Sequence, residues 1–111
     1  MNGVNIMLRT TILAVVLLVA APALAQQPKP LAHGDAAAGK QLVEKDCVGC
    51  HVRRFGDATT IYTRADRKVR TAEQLLAQVQ FCNSELKAGY FPEEEEHVAA
   101  YLNLQYYKFA P

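Results

Sequence analysis

The 111-residue chain has two methionines, Met1 and Met7, and none after them. From residue 8 onward no thioether is available to ligate a metal. Its three cysteines are too few for the two cysteine pairs of an all-cysteine tetrahedral zinc site. The longest unbroken apolar run, Ile12 to Ala21, is too short to span about 30 Å of hydrocarbon. No charge sign dominates: net charge is +1, which argues against nucleic acid as a bulk partner. No stretch alternates with a period of two for long enough to propose a sheet. A nucleophile–base pair, a carboxylate dyad and a phosphate-cradling glycine loop are all missing. Hydrolytic and phosphoryl-transfer chemistry therefore lack their residues.

What is present is Cys47-Val48-Gly49-Cys50-His51. In a Cys-x-x-Cys-His run each sulfur can bond one vinyl-derived carbon of a porphyrin, and two intervening residues match the span between those carbons. The next residue, His51, is then placed beneath the iron as proximal ligand. Cys-x-x-Cys alone would leave thioredoxin-like redox chemistry or zinc open. The histidine, and the lack of a second cysteine pair, favour one covalent haem c.

The first 25 residues support the same compartment independently. Arg9 gives a positive n-region, Ile12 to Ala21 an apolar h-region, and Ala23-Leu24-Ala25 a small-x-small cleavage site. Residues 1–25 are therefore expected to be a signal peptide cleaved after Ala25, with a retained anchor as the alternative. The expected location is periplasmic, with no membrane span after cleavage. Removing 25 of 111 residues leaves 86, one small domain that usually needs a staple. It also removes Arg9, leaving eleven basic against eleven acidic residues.

Residues 26–34, with Pro28 and Pro30, read as a flexible leader, and residues 35–109 as the domain. Asp35 can cap a first helix that carries Leu42 and Val43 and runs into Cys47. Gly39 inside it costs roughly 1 kcal/mol relative to alanine, which suggests a close backbone approach. A second helix is expected from Thr71 to Cys82, with Thr71 and Gln74 as a capping box and Leu75, Leu76, Val79 and Cys82 as its apolar stripe. The third opens at Pro92, with Glu93 to Glu96 in its first turn and Val98, Tyr101, Leu102 and Gln105 on one side. The expected fold is all-α: a small domain of three or more helices packed around a covalent haem.

This arrangement resembles class I cytochrome c over most of residues 34–107. The resemblance implies that Gly39 and Val43 of the first helix cross the last helix at Val98 and Tyr101, with Tyr101 packed on the bare backbone of Gly39. It also implies a methionine as distal iron ligand, and there the sequence departs: Leu86 stands where that methionine would be. The family's proline after the haem histidine, whose carbonyl orients the imidazole, is also missing. No proline lies between Val52 and Phe91, so the acceptor for the His51 ring N–H is left unnamed.

Four side chains compete for the distal position. Cys82 lies on the apolar stripe, and a thiolate ligand would favour ferric iron; it could equally be a small buried hydrophobe or form an intermolecular disulfide. The stretch Tyr62 to Arg70, continuing through Gln74, Val79 and Cys82 to Pro92 and Tyr101-Leu102-Asn103, is similar to haem domains of the A subunit of the periplasmic thiosulfate-oxidising complex. That resemblance implies Cys82 as a thiolate ligand. Asn83 is read as a helix C-cap, His97 as a solvent-side histidine, and His33 as part of the leader. An open sixth position is a further alternative.

Arg53, Arg54, Arg64, Arg67, Lys68 and Arg70 crowd into eighteen positions. They are read either as a docking patch for transient redox protein partners or as ordinary solvated surface. The Tyr106-Tyr107-Lys108-Phe109 tail is expected to pack on the core. The expected function is single-electron transfer, a carrier rather than an enzyme. The alternative is binding of a small ligand or sulfur species at an open or labile distal site, with membership of a larger oxidoreductase as a third.

Overall fold

The computed structural model describes residues 29–110; the expected signal peptide and residues 26–28 lie outside them. The described residues are helical and contain no strand. The helices are α1 (Ala36–Asp46), α2 (Val48–Phe55), α3 (Thr60–Thr63), α4 (Ala72–Leu86) and α5 (Pro92–Leu102), with a π-helical turn over Asn103–Tyr107 after α5. None of these helices is long and apolar enough to cross a membrane.

Helix α1 starts where a carboxylate can cap it. The Asp35 side chain accepts from the backbone N–H of Ala37 at 2.8 Å and of Ala38 at 3.2 Å, satisfying donors the first turn leaves open. The helix packs against α5 with almost no space between backbones. A Cβ on Gly39 would stand 1.8 Å from the His97 carbonyl oxygen and 3.0 Å from Tyr101 Cβ. The close approach expected at Gly39 is present, with the His97 carbonyl nearer than Tyr101. Gly34 is a second such point: a Cβ there would lie 2.5 Å from both Ala100 Cβ and the Glu96 carbonyl oxygen. Val43 and Val98, the apolar partners expected on the two helices, are both buried.

Residues 29–34, read from sequence as a leader, form a turn closed by bonds from Ala32 N–H to the Lys29 carbonyl and from Gly34 N–H to the Leu31 carbonyl. Leu31, at φ 67°, packs against the core. One apolar residue in a proline-punctuated stretch has no periodicity to announce it.

Helix α4 is capped by Thr71, whose hydroxyl accepts from Gln74 N–H at 3.2 Å. The Gln74 side chain returns the bond one residue earlier than a standard capping box, accepting from Arg70 N–H at 2.8 Å. Helix α4 runs four residues past the expected end at Cys82, and Lys87 terminates it in the left-handed conformation. Leu75 and Val79 are buried, with Leu76 packed against them. At α5, Glu94 accepts from Phe91 N–H at 2.9 Å, and Glu93, Glu94 and Glu95 complement the N-terminal end of the dipole.

The core is thin: Leu75 and Ala99, 1% and 0% exposed, are its best-covered members. Beyond Leu102 the stripe does not continue to Gln105, which is exposed. The wider π turn holds one extra residue per turn, so Tyr106 and Tyr107 rotate inward and join the core. A Gly39→Ala substitution is expected to force α1 and α5 apart at a cost of about 1–3 kcal/mol. That is a fall in Tm of about 4–8 °C per kcal/mol, read from thermal melts of the purified protein.

Candidate functional site

Cys47, Cys50 and His51 sit together because the chain stays helical through the junction of α1 and α2. Cys47 caps α1 in the right-handed region and donates its N–H to the Val43 carbonyl; His51 N–H in turn reaches the Cys47 carbonyl at 3.1 Å. Positions i, i+3 and i+4 share one helical face, so both thiols and the imidazole project to the same side. The sequence signal for helix α2 is short: Val48, Val52 and Phe55 fall at i, i+4 and i+7, but over only eight residues that include Gly49, and none of its side chains is fully buried. Gly56, at φ 86°, ends it.

All three thiols are free and partly buried. Burial pushes the Cys47 thiol up to about 11, with the nearby Cys82, Asp46 and Cys50 charges adding to the effect. The influence of Cys82 on Cys47 places the α4 thiol on the side of the molecule that carries the motif. Gln78 Nε2 donates to Cys82 Sγ at 3.4 Å.

The His51 ring has a partner that sequence reasoning did not find. Tyr62, on α3, places its hydroxyl 2.8 Å from His51 Nδ1. The rings meet edge-on, with centroids 5.3 Å apart. Burial lowers the His51 pKa, opposed by the backbone carbonyl of Ala58. Burial raises the Tyr62 pKa far above the phenol range, so the hydroxyl keeps its proton at all ordinary pH. No motif spacing points to Tyr62; the only signal was the missing proline, which left the imidazole N–H in search of an acceptor.

Asp57 organises the turn that delivers Tyr62. Its carboxylate accepts from the backbone N–H of Thr59 and of Thr60, both at 2.7 Å, and from both threonine hydroxyls. Bonds from Thr60 and Thr59 hold its pKa down from 3.8 to about 2.

Two of the other distal candidates, Asn83 and His97, have partners within the domain. Asn83 is not a C-cap. It lies inside α4, and its amide clamps the next loop: Oδ1 accepts from Tyr90 N–H at 3.0 Å, while Nδ2 donates to the Tyr90 carbonyl at 3.0 Å and to Glu95 Oε1 at 2.7 Å. The helix runs beyond it because Lys87 supplies the left-handed cap in its place. Tyr90 then donates its hydroxyl to Asp46 at the end of α1. His97 is half-buried, and its Nδ1 accepts from Asp35 N–H at 2.9 Å, joining the start of α1 to α5. His33 is exposed in the 29–34 turn.

Three residues of the basic segment have partners within the domain. Arg64 forms a two-pronged pair with Asp66 at 2.6 and 2.7 Å. Arg67 turns inward, donating to the Tyr62 carbonyl at 2.7 Å and lying over Tyr107 and Phe109. Arg70 donates to the Ala65 carbonyl. Arg53, Arg54, Arg64, Lys68 and Arg70 are all exposed, and the first two lie beside the exposed Val52 and Phe55 on α2.

Two thiols and an imidazole on one helical face, with the imidazole's Nδ1 already bonded, fit the donor set a covalent haem requires. Uncovered apolar side chains stand on both elements that carry donors, Val52 and Phe55 on α2 and Phe81, 59% exposed, on α4. No protein-family model, curated protein or solved structure matches the chain.

Asn83→Ala is expected to lose all three amide bonds and destabilise the domain by about 1–3 kcal/mol, measured by urea unfolding. The Asp57 carboxyl is expected to titrate near 2 by NMR. Because its folded pKa is depressed, its contribution is complete above the unfolded value of 3.8 and is lost as pH falls through about 2.

Proposed function

We propose that the protein is a periplasmic monohaem c-type cytochrome that carries single electrons between redox protein partners. Cys47 and Cys50 are the covalent anchors, His51 is the proximal ligand and Cys82 the distal one. The observation that carries this reading is the shared face of Cys47, Cys50 and His51, with Tyr62 bonded to His51 Nδ1 so that Nε2 is left for a metal. When bound, the haem supplies an iron that accepts one electron from a donor protein and passes it to an acceptor.

The chain's own residues serve that exchange in three ways. His51 has at Nδ1 a hydroxyl that can take its proton, the kind of outer partner metal-ligating histidines generally have. The exposed apolar residues of α2 and α4 would keep water from a bound haem, which limits reorganisation around a changing charge. Arg53, Arg54 and Lys68 offer a small positive surface, suited to short-lived, electrostatically guided encounters. Cys82 supports the thiolate assignment by sharing the side of the molecule that holds Cys47, whose pKa its charge raises.

One observation favours a second reading. Gln78 donates to the same sulfur that would coordinate iron, and a bonded sulfur is a weaker, more labile ligand. In that case the distal position exchanges, and the protein binds a small ligand or sulfur species, alone or within a larger oxidoreductase.

Electron paramagnetic resonance of the ferric holoprotein separates the two. Electron transfer with a Cys82 ligand predicts a low-spin thiolate signal that Cys82→Ala abolishes. A high-spin wild type that readily binds cyanide or nitric oxide would establish the open-site reading.

A further inference from the structure

Tyr62 is far more tightly fixed than a loop-borne tyrosine needs to be. It is 6% exposed, on a four-residue helix that has little stability of its own. Its backbone carbonyl accepts from Arg67 at 2.7 Å. The Arg67 guanidinium lies 4.7 Å from the Tyr107 ring centroid and 5.6 Å from that of Phe109. Tyr106 stacks on the Tyr62 ring at 5.0 Å, and Tyr107 meets it edge-on at 6.0 Å. Phe109 is tied back by Asn103, which donates to its carbonyl at 3.0 Å and accepts its N–H at 2.8 Å. The π turn brings both tyrosines inward. Every one of these contacts restricts the placement of one hydroxyl.

We propose that Tyr62 is the positioning residue of His51, its hydroxyl oxygen accepting the imidazole Nδ1 proton, and that residues 103–109 are the clamp that fixes it; this rests on the haem reading above. A side chain thus does the work that a backbone carbonyl does in the family the sequence resembles. A carbonyl is fixed by the covalent chain, whereas a phenol must be fixed by packing, which gives the C-terminal aromatic residues their task. An acceptor on Nδ1 sets the tautomer and increases the electron donation of the other ring nitrogen. Ferric iron is thereby favoured over ferrous, through hydrogen bonding to a ligand rather than a change of ligand.

Tyr62→Phe removes the hydroxyl and keeps the ring against Tyr106 and Tyr107. In the holoprotein it is expected to shift the ferric/ferrous equilibrium about tenfold toward ferrous, a rise in potential of about 59 mV for one electron. The His51 Nδ1 proton, followed by NMR, should exchange faster with solvent. Tyr106→Leu, with the hydroxyl intact but its stacking partner gone, should move both quantities the same way by a smaller amount. A packing role alone would leave both unmoved in Tyr62→Phe. That result, in a variant with haem attached, overturns the proposal and assigns the proton to another acceptor such as the Ala58 carbonyl. If Tyr62→Phe does not accumulate, an unmoved potential in Tyr106→Leu overturns it instead. A wild-type protein without covalent haem overturns the functional reading itself, and the proposal with it.

Discussion

The architecture depends on the contact of α1 with α5, where two glycines let backbones touch. At Gly39 the neighbouring atom is a carbonyl oxygen, and at Gly34 a carbonyl oxygen and a methyl group, so neither position has room for a side chain. With so few residues in the core, this crossing does much of the work that a larger interior does elsewhere. It also sets the frame for the site, because Cys47 is the C-cap of α1. The His97 ring, bonded to the backbone at the start of α1, joins the two helices at their crossing, and Tyr90 joins the loop before α5 to the end of α1.

Much of this was legible in the sequence where helices carry their own punctuation. Asp35 and Thr71 mark starts by supplying hydrogen-bond acceptors to the first turn and Pro92 by lacking a donor there, and Gly39 stands out because it costs helix stability. The stripe of Leu75, Leu76 and Val79 identifies the buried face of α4. What was not legible has a physical reason in each case. Helix α2 has only Val48, Val52 and Phe55 at helical spacing, within eight residues that also hold the cysteine motif and Gly49, so its periodicity is too short to stand out. Helix α3 is four residues held by an aspartate's bonds to two threonines, a turn signal rather than a helix signal. The register change at residues 103–107 arises from a π turn, which no pattern of period 3.6 anticipates.

Within the site, the motif residues were readable and their support was not. Cys47, Cys50 and His51 are defined by spacing along the chain, which a sequence displays directly. Tyr62 is defined by spacing in space, across a turn whose shape depends on Asp57. The basic cluster shows the same division between chain and space. Of its six residues Arg67 turns inward, while Arg64 and Arg70, though exposed, direct donors to an aspartate and to a backbone carbonyl. A count of charges reports composition, and only geometry reports which of them a partner can meet.

The bond between Asp35 and His97 spans 62 residues, and this separation governs when the domain can form. Closing so long a loop is entropically slow, and non-local contacts of this kind set folding rates. Nearly the whole chain must emerge before α1 meets its partner, since Gly34 and Gly39 rest on residues 96–101. Until then α1 has no apolar surface to pack against and the aromatic residues that hold Tyr62 do not yet exist as a cluster. The segment carrying the two neighbouring thiols therefore reaches its final surroundings only once residues 96–107 have joined the fold.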